Sequence, residues 1–313
     1  MLVNMKIVLT GASGLIGSRF FDLLKSKYDI VPLSSSYGVD ITDRKRVHDF
    51  LYRANPSIVV HMAAKTNVDI CESDRINDVK QLMKFNILVD KVFHPENIDV
   101  AEFKGSQSAF GVNVVGVKNL SDWTAENERK IIYISTDFVF DGEQSLPYTE
   151  GDPPLPIDWY GETKYMGERV LGGDNLITRI SFPFGHKNAI KKDLIWTIAN
   201  LLSTQEEISL VVDQIITPTF IDDIVYGLEF LIANNINGLY NLSGNNYMSP
   251  YDIGVAIARE FGLDESKITT TTRDKLYKDR APRPFKIALK NDKLVSLGFK
   301  FTDFYEALRR IKS

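Results

Sequence analysis

Cysteine and long apolar runs are scarce in this chain of 313 residues. Cys71 is the only cysteine, which excludes a disulfide framework and a cysteine-based metal site. A single thiol is typical of a reducing, intracellular setting, so we expect a cytoplasmic location. No apolar run reaches membrane-spanning length, and the opening MLVNMKIVLTG lacks a secretory pattern. We therefore expect no membrane partner.

An excess of charge of one sign is also absent. The formal net charge is -4, with acidic and basic residues mixed along the chain, which disfavours a nucleic-acid surface. Hydrophobic residues make up 44% and charged residues 25%, which are ordinary values for a globular protein. The length allows a large core, in one large domain or in two interleaved ones.

Short β-rich runs alternate with helical patterns over the first 180 residues. This alternation predicts βαβ units and a parallel sheet that is covered on both faces. The predicted strands are Lys6–Leu9, Ile30–Leu33, Ile58–His61, Ile131–Ser135 and Leu176–Ile180, and the predicted helices are Leu15–Lys25, Arg44–Arg53, Val112–Glu126 and Lys164–Leu171.

The pattern changes after residue 183, where helical segments mix with short strand-like pieces. The helices are expected at Ala189–Leu202, Pro250–Phe261 and Phe304–Ile311, and the strands at Ser209–Val212 and Gly238–Leu242. We expect an α/β chain with a Rossmann-type doubly wound sheet in residues 1–182. Residues 183–313 would form a smaller α+β substrate-binding domain, with 221–233 returning to the first domain.

A glycine-rich turn, TGASGLIG (10–17), follows the first predicted strand and opens a helix. Gly11, Gly14 and Gly17 allow a tight turn, close approach of the backbone to a pyrophosphate, and close helix–strand packing. The helix N-terminus offers free N–H groups to the phosphates.

The second strand ends in Leu33-Ser-Ser-Ser36, with neither the acid that selects NAD nor a base that binds the 2′-phosphate of NADP. We expect NADP(H) to be favoured and NAD(H) to be possible.

Tyr160 and Lys164 stand four residues apart in YGETK, so on a helix they would share one face. A cation beside a phenol favours the tyrosinate, and we expect Lys164 to lower the pKa of Tyr160. A tyrosine tuned in this way can donate or accept a proton during a reaction.

Several motifs together resemble the extended short-chain dehydrogenases/reductases, and most closely the dTDP-4-dehydrorhamnose reductases. They are TGASGLIG (10–17), Asp40-Ile41, VVHMAAKTNVD (59–69), Asn113 in VNVVGVKNL, STDFVFDG (135–142), YGETK (160–164), DQIITPTFIDDIVYGL (213–228), and Arg283-Pro284 with Leu289. The resemblance covers the chain nearly from end to end. It implies reduction of the 4-keto group of a nucleotide-linked deoxysugar by NAD(P)H.

The resemblance also implies residue roles. Tyr160 would be the general acid, Lys164 would stabilise the tyrosinate and hold the nicotinamide ribose, and Thr136 would polarise the carbonyl. Asp137 and Phe182 would contact the sugar-nucleotide substrate together with Thr136. The cofactor would contact Tyr160, Lys164, Gly11, Ser13, Gly14, Leu15, Ile16, Gly17, Ser34, Asp40, Ile41, Ala63, Ala64 and Lys65.

Phe138 bears on which reaction of the superfamily the chain performs. Sugar-nucleotide dehydratases carry an acidic pair after the threonine, and here Asp137 is followed by Phe138, which argues against dehydration. A nucleotide-sugar epimerase stays open, because epimerases use the same Tyr/Lys pair. A non-catalytic regulator similar to the β-subunit of methionine adenosyltransferase also stays open.

The chain departs from the reductase pattern at two places. The stretch between Glu72 and Asn113 is longer than in the family, and its extra part, Asp74–Ser106, would be a surface excursion, a lid or an oligomer contact. Arg19 follows the glycine-rich turn (10–17), which we call the cradle, where the bacterial reductases carry an acid linked to a metal. We therefore predict no metal site. A homodimer is the default expectation, because closed two-fold assemblies are the commonest.

Overall fold

A six-stranded, wholly parallel sheet organises the computed structural model, which describes residues 5–35, 38–172, 174–185 and 193–312. The strands of the chain are β1 (Lys6–Thr10), β2 (Asp29–Leu33), β3 (Ile58–His61), β4 (Leu88–Val89), β5 (Val92–Phe93), β6 (Lys130–Thr136), β7 (Leu176–Ile180), β8 (Pro183–Phe184), β9 (Ile208–Val211), β10 (Thr219–Phe220), β11 (Gly238–Asn241) and β12 (Ile268–Thr271). The large sheet has the order β11-β7-β6-β3-β1-β2. The Rossmann-type fold class is therefore confirmed.

Helices cover both faces of this sheet. The α-helices of the described residues, those beside the sheet and those of the C-terminal part together, are α1 (Leu15–Leu24), α2 (Arg44–Ala54), α3 (Val68–Lys84), α4 (Gly116–Glu126), α5 (Trp159–Val170), α6 (Leu194–Thr204), α7 (Ile221–Ala233), α8 (Pro250–Phe261), α9 (Arg273–Leu276), α10 (Asp292–Ser296) and α11 (Phe304–Lys312). Alternate residues of β1 point to opposite faces: Ile7 and Leu9 pack with residues of α1 and α7, and Val8 packs with residues of α2 and α4. The central residues of β1, β3 and β6 are apolar and buried, because helices cover both faces of the sheet at these strands.

Helix α5 begins earlier than its apolar pattern predicts. Asp158 is its N-cap, and the Asp158 carboxylate accepts a hydrogen bond from the Gly161 N–H at 2.8 Å. An aspartate at this position satisfies an N–H group of the first turn, so the helix starts at Trp159 instead of Lys164. Tyr160 and Lys164 consequently lie on the same helix, one turn apart.

The residues after 183 contribute to two units. Helices α6, α8 and α11 share an apolar cluster with the parallel pair β9 and β12. Strand β11, however, is the edge strand of the large sheet, paired with β7, and not part of the smaller domain to which the sequence pattern assigned it. Helix α7 packs beside α1 on the same sheet. Residues Ala189–Lys192 of the predicted helix Ala189–Leu202 lie outside the described residues.

The stretch Asp74–Ser106 is an integral part of the core. It contains most of α3, the short hairpin of β4 and β5, and two 3₁₀ turns. Five of its apolar side chains are at most 6% exposed and pack in one cluster with residues of α5 and of the segment before α4; they are Leu82, Ile87, Phe93, Ile98 and Phe103. In the described part of the chain, no helix has the length and apolar character that a membrane crossing requires.

Candidate active site

A cleft of about 720 Å³ opens at the carboxyl ends of the strands, where the strand order reverses around β1. Open α/β sheets bind their ligands at this point. Most of the residues singled out from the sequence line it, namely Gly11, Ser13, Gly14, Leu15, Ile16, Gly17, Ser34, Asp40, Ile41, Ala63, Ala64, Thr136, Asp137, Tyr160 and Phe182. The fold therefore brings the glycine-rich turn, the threonine and the tyrosine to one cavity.

The glycine-rich turn leaves no room for side chains. Gly11 has a φ of +69°, and a Cβ there would lie 2.7 Å from the Ala63 nitrogen. A Cβ on Gly17 would lie 2.1 Å from the carbonyl oxygen of Gly11. Gly14 is the N-cap of α1 and provides no side-chain cap, so the N–H groups of the first turn face the cleft unblocked. This arrangement fits the pyrophosphate of a dinucleotide.

At the end of the cleft away from Tyr160, polar groups near Asp40 and Ile41 form hydrogen bonds with one another. Asp40 accepts hydrogen bonds through Oδ1 from the Thr42 N–H at 2.9 Å and the Thr42 hydroxyl at 2.8 Å. Its Oδ2 accepts from the Gln107 amide at 2.9 Å. Ile41 is held nearby by the Asn119 amide, which donates to its carbonyl oxygen at 2.8 Å. These contacts fix the wall where a dinucleotide's adenosine half would lie; Ser36 lies outside the described residues.

Lys65 is not among the cleft-lining residues, contrary to the prediction from its motif. Its ammonium forms an ion pair with Asp74 at 2.6 Å and donates to the Gln107 carbonyl at 2.9 Å. The Asn113 side chain accepts from the Lys65 N–H and donates to the Lys65 carbonyl. The carboxylate comes from α3 and the carbonyl from Gln107, and these two contacts hold the Lys65 ammonium.

Tyr160 lines the cleft, whereas Lys164 lies behind it. The Lys164 ammonium donates to the Ile134 carbonyl at 2.7 Å and lies 4.0 Å from the centroid of the Tyr133 ring. Burial lowers the pKa of Lys164 to about 7.

Burial also sets the ionisation of Tyr160. It raises the pKa of Tyr160 above its usual value, against the opposing effect of a hydrogen bond with Thr136. The net shift in the pKa of Tyr160 is therefore upward, opposite to the shift expected from Lys164 alone. The reason is that desolvation of the phenol dominates, so Tyr160 is a proton donor at neutral pH.

Thr136 and Asp137 form a buried hydrogen-bond chain beside Tyr160. The Thr136 hydroxyl donates to Asp137 Oδ1 at 3.0 Å, and the Ser181 hydroxyl donates to Asp137 Oδ2 at 2.7 Å. The Ser181 hydroxyl in turn accepts from the Thr217 N–H at 3.3 Å. Burial raises the pKa of Asp137 to about 7, although both hydroxyl bonds favour its carboxylate. These hydrogen bonds connect Thr136 to the segment TPTF (217–220) of the C-terminal half.

An aromatic wall completes the cleft. The Phe138 ring lies edge-on to the Tyr160 ring, with centroids 5.6 Å apart, and 6.4 Å from the Phe182 ring. Phe182 has a φ of +37°, which a bulky residue adopts only at a cost in free energy. Its carbonyl accepts from the Thr219 N–H at 3.1 Å, which helps to hold this conformation. The wall offers an apolar surface next to the reacting groups.

Sequence reasoning assigned no role in the site to several residues that line the cleft. Phe138 was used only to separate reactions, although it lines the cleft. The others include Ser35, Met62, Val68, Gln107, Val112, Ile180, Pro183, Asp193 and Leu194. Met62 and Ile180 could have been found, because they end or follow strands of the parallel sheet. Gln107 carries no local signal, since only the folded path of Asp74–Ser106 brings it to Asp40.

Arg19, which follows the cradle, forms an ion pair with Asp222. Its guanidinium donates to both carboxylate oxygens of Asp222, at 2.6 and 2.8 Å, and so joins α1 to α7. Within the described ranges, no group of three or more His, Cys, Asp or Glu side chains is arranged to hold a metal ion.

The parallel sheet, its cradle at the switch point and the adjoining threonine and tyrosine define an extended short-chain dehydrogenase/reductase. The family model described as "RmlD substrate binding domain" matches residues 5–87 and 83–312. The chain belongs to this family. The overlap of the two matched segments lies within the stretch Asp74–Ser106.

Several known proteins are similar to this chain over most of their lengths. The chain is 29% identical to the spore coat polysaccharide biosynthesis protein SpsK of Bacillus subtilis, covering 97% of this chain and 95% of that protein. It is 27% identical to the dTDP-4-dehydrorhamnose reductase of Aggregatibacter actinomycetemcomitans, covering 98% of both. It is also 26% identical to methionine adenosyltransferase 2 subunit beta of Bos taurus, covering 94% of this chain and 82% of that protein.

A solved structure agrees with the fold. The crystal structure of dTDP-4-dehydrorhamnose reductase from Bacillus anthracis in complex with NADP matches with a TM-score of 0.82. The two chains are 26% identical, and the match covers 98% of each.

Proposed function

We propose that this protein is an NADPH-dependent reductase of the 4-keto group of a nucleotide-linked deoxysugar, with dTDP-4-dehydrorhamnose as the favoured substrate. The observation that carries the proposal is the convergence of the glycine cradle, Thr136 and a protonated Tyr160 on one cleft. The family's reductases support the choice of substrate. The protein would then act in the biosynthesis of dTDP-rhamnose.

Tyr160 is the general acid in this proposal. A ketone gains negative charge on its oxygen as the carbon is reduced, and a proton must reach that oxygen. The phenol of Tyr160 is protonated at neutral pH, as an ordinary tyrosine is, and burial raises its pKa further. General-acid help of this kind contributes about 10²–10⁴-fold in rate. The cofactor supplies the hydride, and the protein supplies position and electrostatics.

Thr136 and Lys164 support the proton transfer. The Thr136 hydroxyl lines the cleft and donates a hydrogen bond to the ketone oxygen, which stabilises the developing charge. The Lys164 ammonium stabilises the tyrosinate that is left behind, from its place one helical turn after Tyr160. The Ile134 carbonyl takes one of the three donors of the Lys164 ammonium, which lies outside the cleft lining, so its contact with the ribose hydroxyls stays a prediction.

NADP(H) is the favoured cofactor. The cradle of Gly11, Gly14 and Gly17 would hold the pyrophosphate, and Asp40 and Ile41 would flank the adenine. Ser34 and Ser35 line the cleft where an acid would repel a 2′-phosphate. The bacterial reductase that was crystallised with NADP supports the same choice.

The test compares wild-type protein with Tyr160→Phe, using NADPH and the 4-keto sugar nucleotide and following cofactor absorbance. We expect Tyr160→Phe to lower kcat by about 10²–10⁴-fold, because it removes only the acidic hydroxyl. Tyr165→Phe is the matched control, since it removes a phenol hydroxyl from the same helix outside the cleft lining. Equal activity of Tyr160→Phe and wild type would refute the proposed role.

The same assay separates the alternative functions. An epimerase would interconvert sugar nucleotides without net consumption of NADPH. A regulator such as the β-subunit relatives would bind the cofactor without turnover. A homodimer and a cytoplasmic location stay predictions.

A further inference from the structure

The amino-terminal turn of α5 is held by carboxylates from outside its own helix. Glu72 Oε2 accepts from the Trp159 backbone N–H at 2.8 Å, and Asp78 Oδ2 accepts from the Trp159 indole N–H at 2.8 Å. Both acids belong to α3. Trp159 is fully buried and immediately precedes Tyr160. Backbone and side chain of this residue are therefore both tied to one neighbouring helix.

Asp78 also reaches a third element. Its Oδ2 accepts from the Phe110 N–H at 3.1 Å, where a π-helical turn, Gly111–Val115, begins. Within that turn, Val112 lines the cleft, and the Asn113 amide donates to the Thr163 hydroxyl on α5 at 3.0 Å. One carboxylate oxygen thus joins α3, the start of α5 and a turn that forms part of the cleft wall.

The surroundings make these hydrogen bonds strong. Asp78 is 2% exposed, and its two hydrogen-bond partners, Trp159 and Phe110, belong to the same apolar cluster as the hairpin and turns that follow α3. A bond to an ionised group in a water-excluded site is stronger than its exposed counterpart, and its loss leaves buried donors unpaired. Asp74–Ser106, which is described in full, contributes none of the side chains that line the cleft. This stretch can therefore affect the reaction only by positioning the residues that line the cleft.

We propose that Asp78 is a positioning residue, which sets the placement of Tyr160 by holding the Trp159 indole and the Phe110 amide together. The proposal rests on the function proposed above for its kinetic consequence. It assigns the long stretch Asp74–Ser106 a role as a support for the proton donor, in place of a lid or a peripheral excursion. A displacement of a reacting group by about 1 Å costs on the order of 10²-fold in rate.

Two substitutions of Asp78 separate hydrogen bonding from bulk. Asp78→Leu removes both acceptor contacts while keeping the branched shape and the number of heavy atoms of the side chain. Asp78→Asn keeps one carbonyl oxygen, which can accept from both donors. We expect kcat to fall roughly 10- to 100-fold in Asp78→Leu, with KM for NADPH nearly unchanged, and to recover most of its value in Asp78→Asn. Equal kcat in the two variants, or a loss confined to KM, would overturn the proposal.

A control variant and a second measurement distinguish the positioning of Tyr160 from a general loss of packing in this cluster. Ile87→Val trims the same apolar cluster without touching a hydrogen bond, and we expect its kcat per folded molecule to equal that of wild type. Hydrogen exchange should speed up at residues 159–164 in Asp78→Leu alone. If Ile87→Val shows the same faster exchange or the same loss of kcat, the positioning role is wrong.

The design also separates this inference from the proposed function. Wild-type protein that does not turn over the 4-keto sugar nucleotide would refute the function. The exchange comparison would then decide the positioning role by itself: faster exchange at 159–164 in Asp78→Leu, absent in Asp78→Asn, supports it, and unchanged exchange rejects it.

Discussion

At the scale of single residues, Asp137 controls the direction of the hydrogen bond from Thr136. As a carboxylate it accepts the Thr136 proton, and the distance between the two oxygens is 3.0 Å. As a protonated acid it can instead donate to the Thr136 hydroxyl oxygen, which frees the Thr136 proton for a ketone. Because burial raises the pKa of Asp137 to about 7, the change between these forms falls near neutral pH.

The prediction is that kcat falls as pH rises through about 7. Asp137 loses its proton there, and Lys164, whose pKa burial lowers to about 7, loses its charge in the same range. In Asp137→Asn the amide donates to Thr136 at every pH, so the decline should become shallower and only the contribution of Lys164 should remain. The measurement is the pH dependence of kcat at saturating substrates. Parallel profiles for the two proteins would contradict this assignment.

Gly11 offers a second test at a single residue, because Gly38 provides a matched comparison. Both glycines have positive φ, +69° and +78°, so alanine is strained at each. A Cβ at Gly11 meets the Ala63 nitrogen at 2.7 Å, whereas one at Gly38 meets nothing within 4 Å. We expect Gly11→Ala to weaken NADPH binding at least tenfold and Gly38→Ala to leave it within about twofold, measured by fluorescence titration. Similar losses would show that strain, and not the cradle, matters.

At the scale of elements, the ion pair of Glu168 and Arg179 fastens α5 to β7. The two side chains are 6% and 3% exposed and form two parallel hydrogen bonds of 2.9 and 2.7 Å. The Arg179 guanidinium also lies 5.0 Å from the centroid of the Phe140 ring. Such a buried pair is costly to break, because removal of one partner leaves an uncompensated charge.

We expect Glu168→Gln to lower the free energy of unfolding by about 3–5 kcal/mol, measured by urea denaturation. Asp49→Asn is the control, because it breaks the exposed pair of Lys45 and Asp49 and should change stability little. The double variant Glu168→Met with Arg179→Met removes both charges and should recover much of the loss. A small effect of Glu168→Gln would mean that water or a neighbour compensates Arg179.

Sequence reasoning identified the elements whose chemistry is local. The glycine turn and the spacing of Tyr160 and Lys164 follow from backbone geometry and helix periodicity, which neighbouring residues determine. The start of α5 was misjudged, because the Asp158 cap overrides an apolar pattern that begins at Lys164. Lys65 was misplaced because its partner, Asp74, belongs to a stretch whose path is set by tertiary packing. The long-range contacts of Asp78 have no signature in the sequence.

At the scale of the whole molecule, the cleft joins the two halves of the chain. Gly11 and Tyr160 line it from the large sheet, and Leu194, at the start of α6, lines it from the smaller unit. A ligand that fills this cleft contacts both units and binds only the folded chain. Its binding free energy therefore adds to the stability of the whole protein.

We expect NADPH at about 100 times its Kd to stabilise the protein by about 2.7 kcal/mol. For a chain of this size the corresponding rise in Tm is roughly 5 °C. NADH at the same concentration should give a smaller rise, because Ser34 and Ser35 stand where an acid would otherwise hold the ribose 2′-hydroxyl. The measurement is thermal unfolding with each cofactor, with Gly11→Ala as a variant that should not respond. A larger shift with NADH would reverse the assigned cofactor preference while leaving the cradle intact, because both dinucleotides carry the same pyrophosphate.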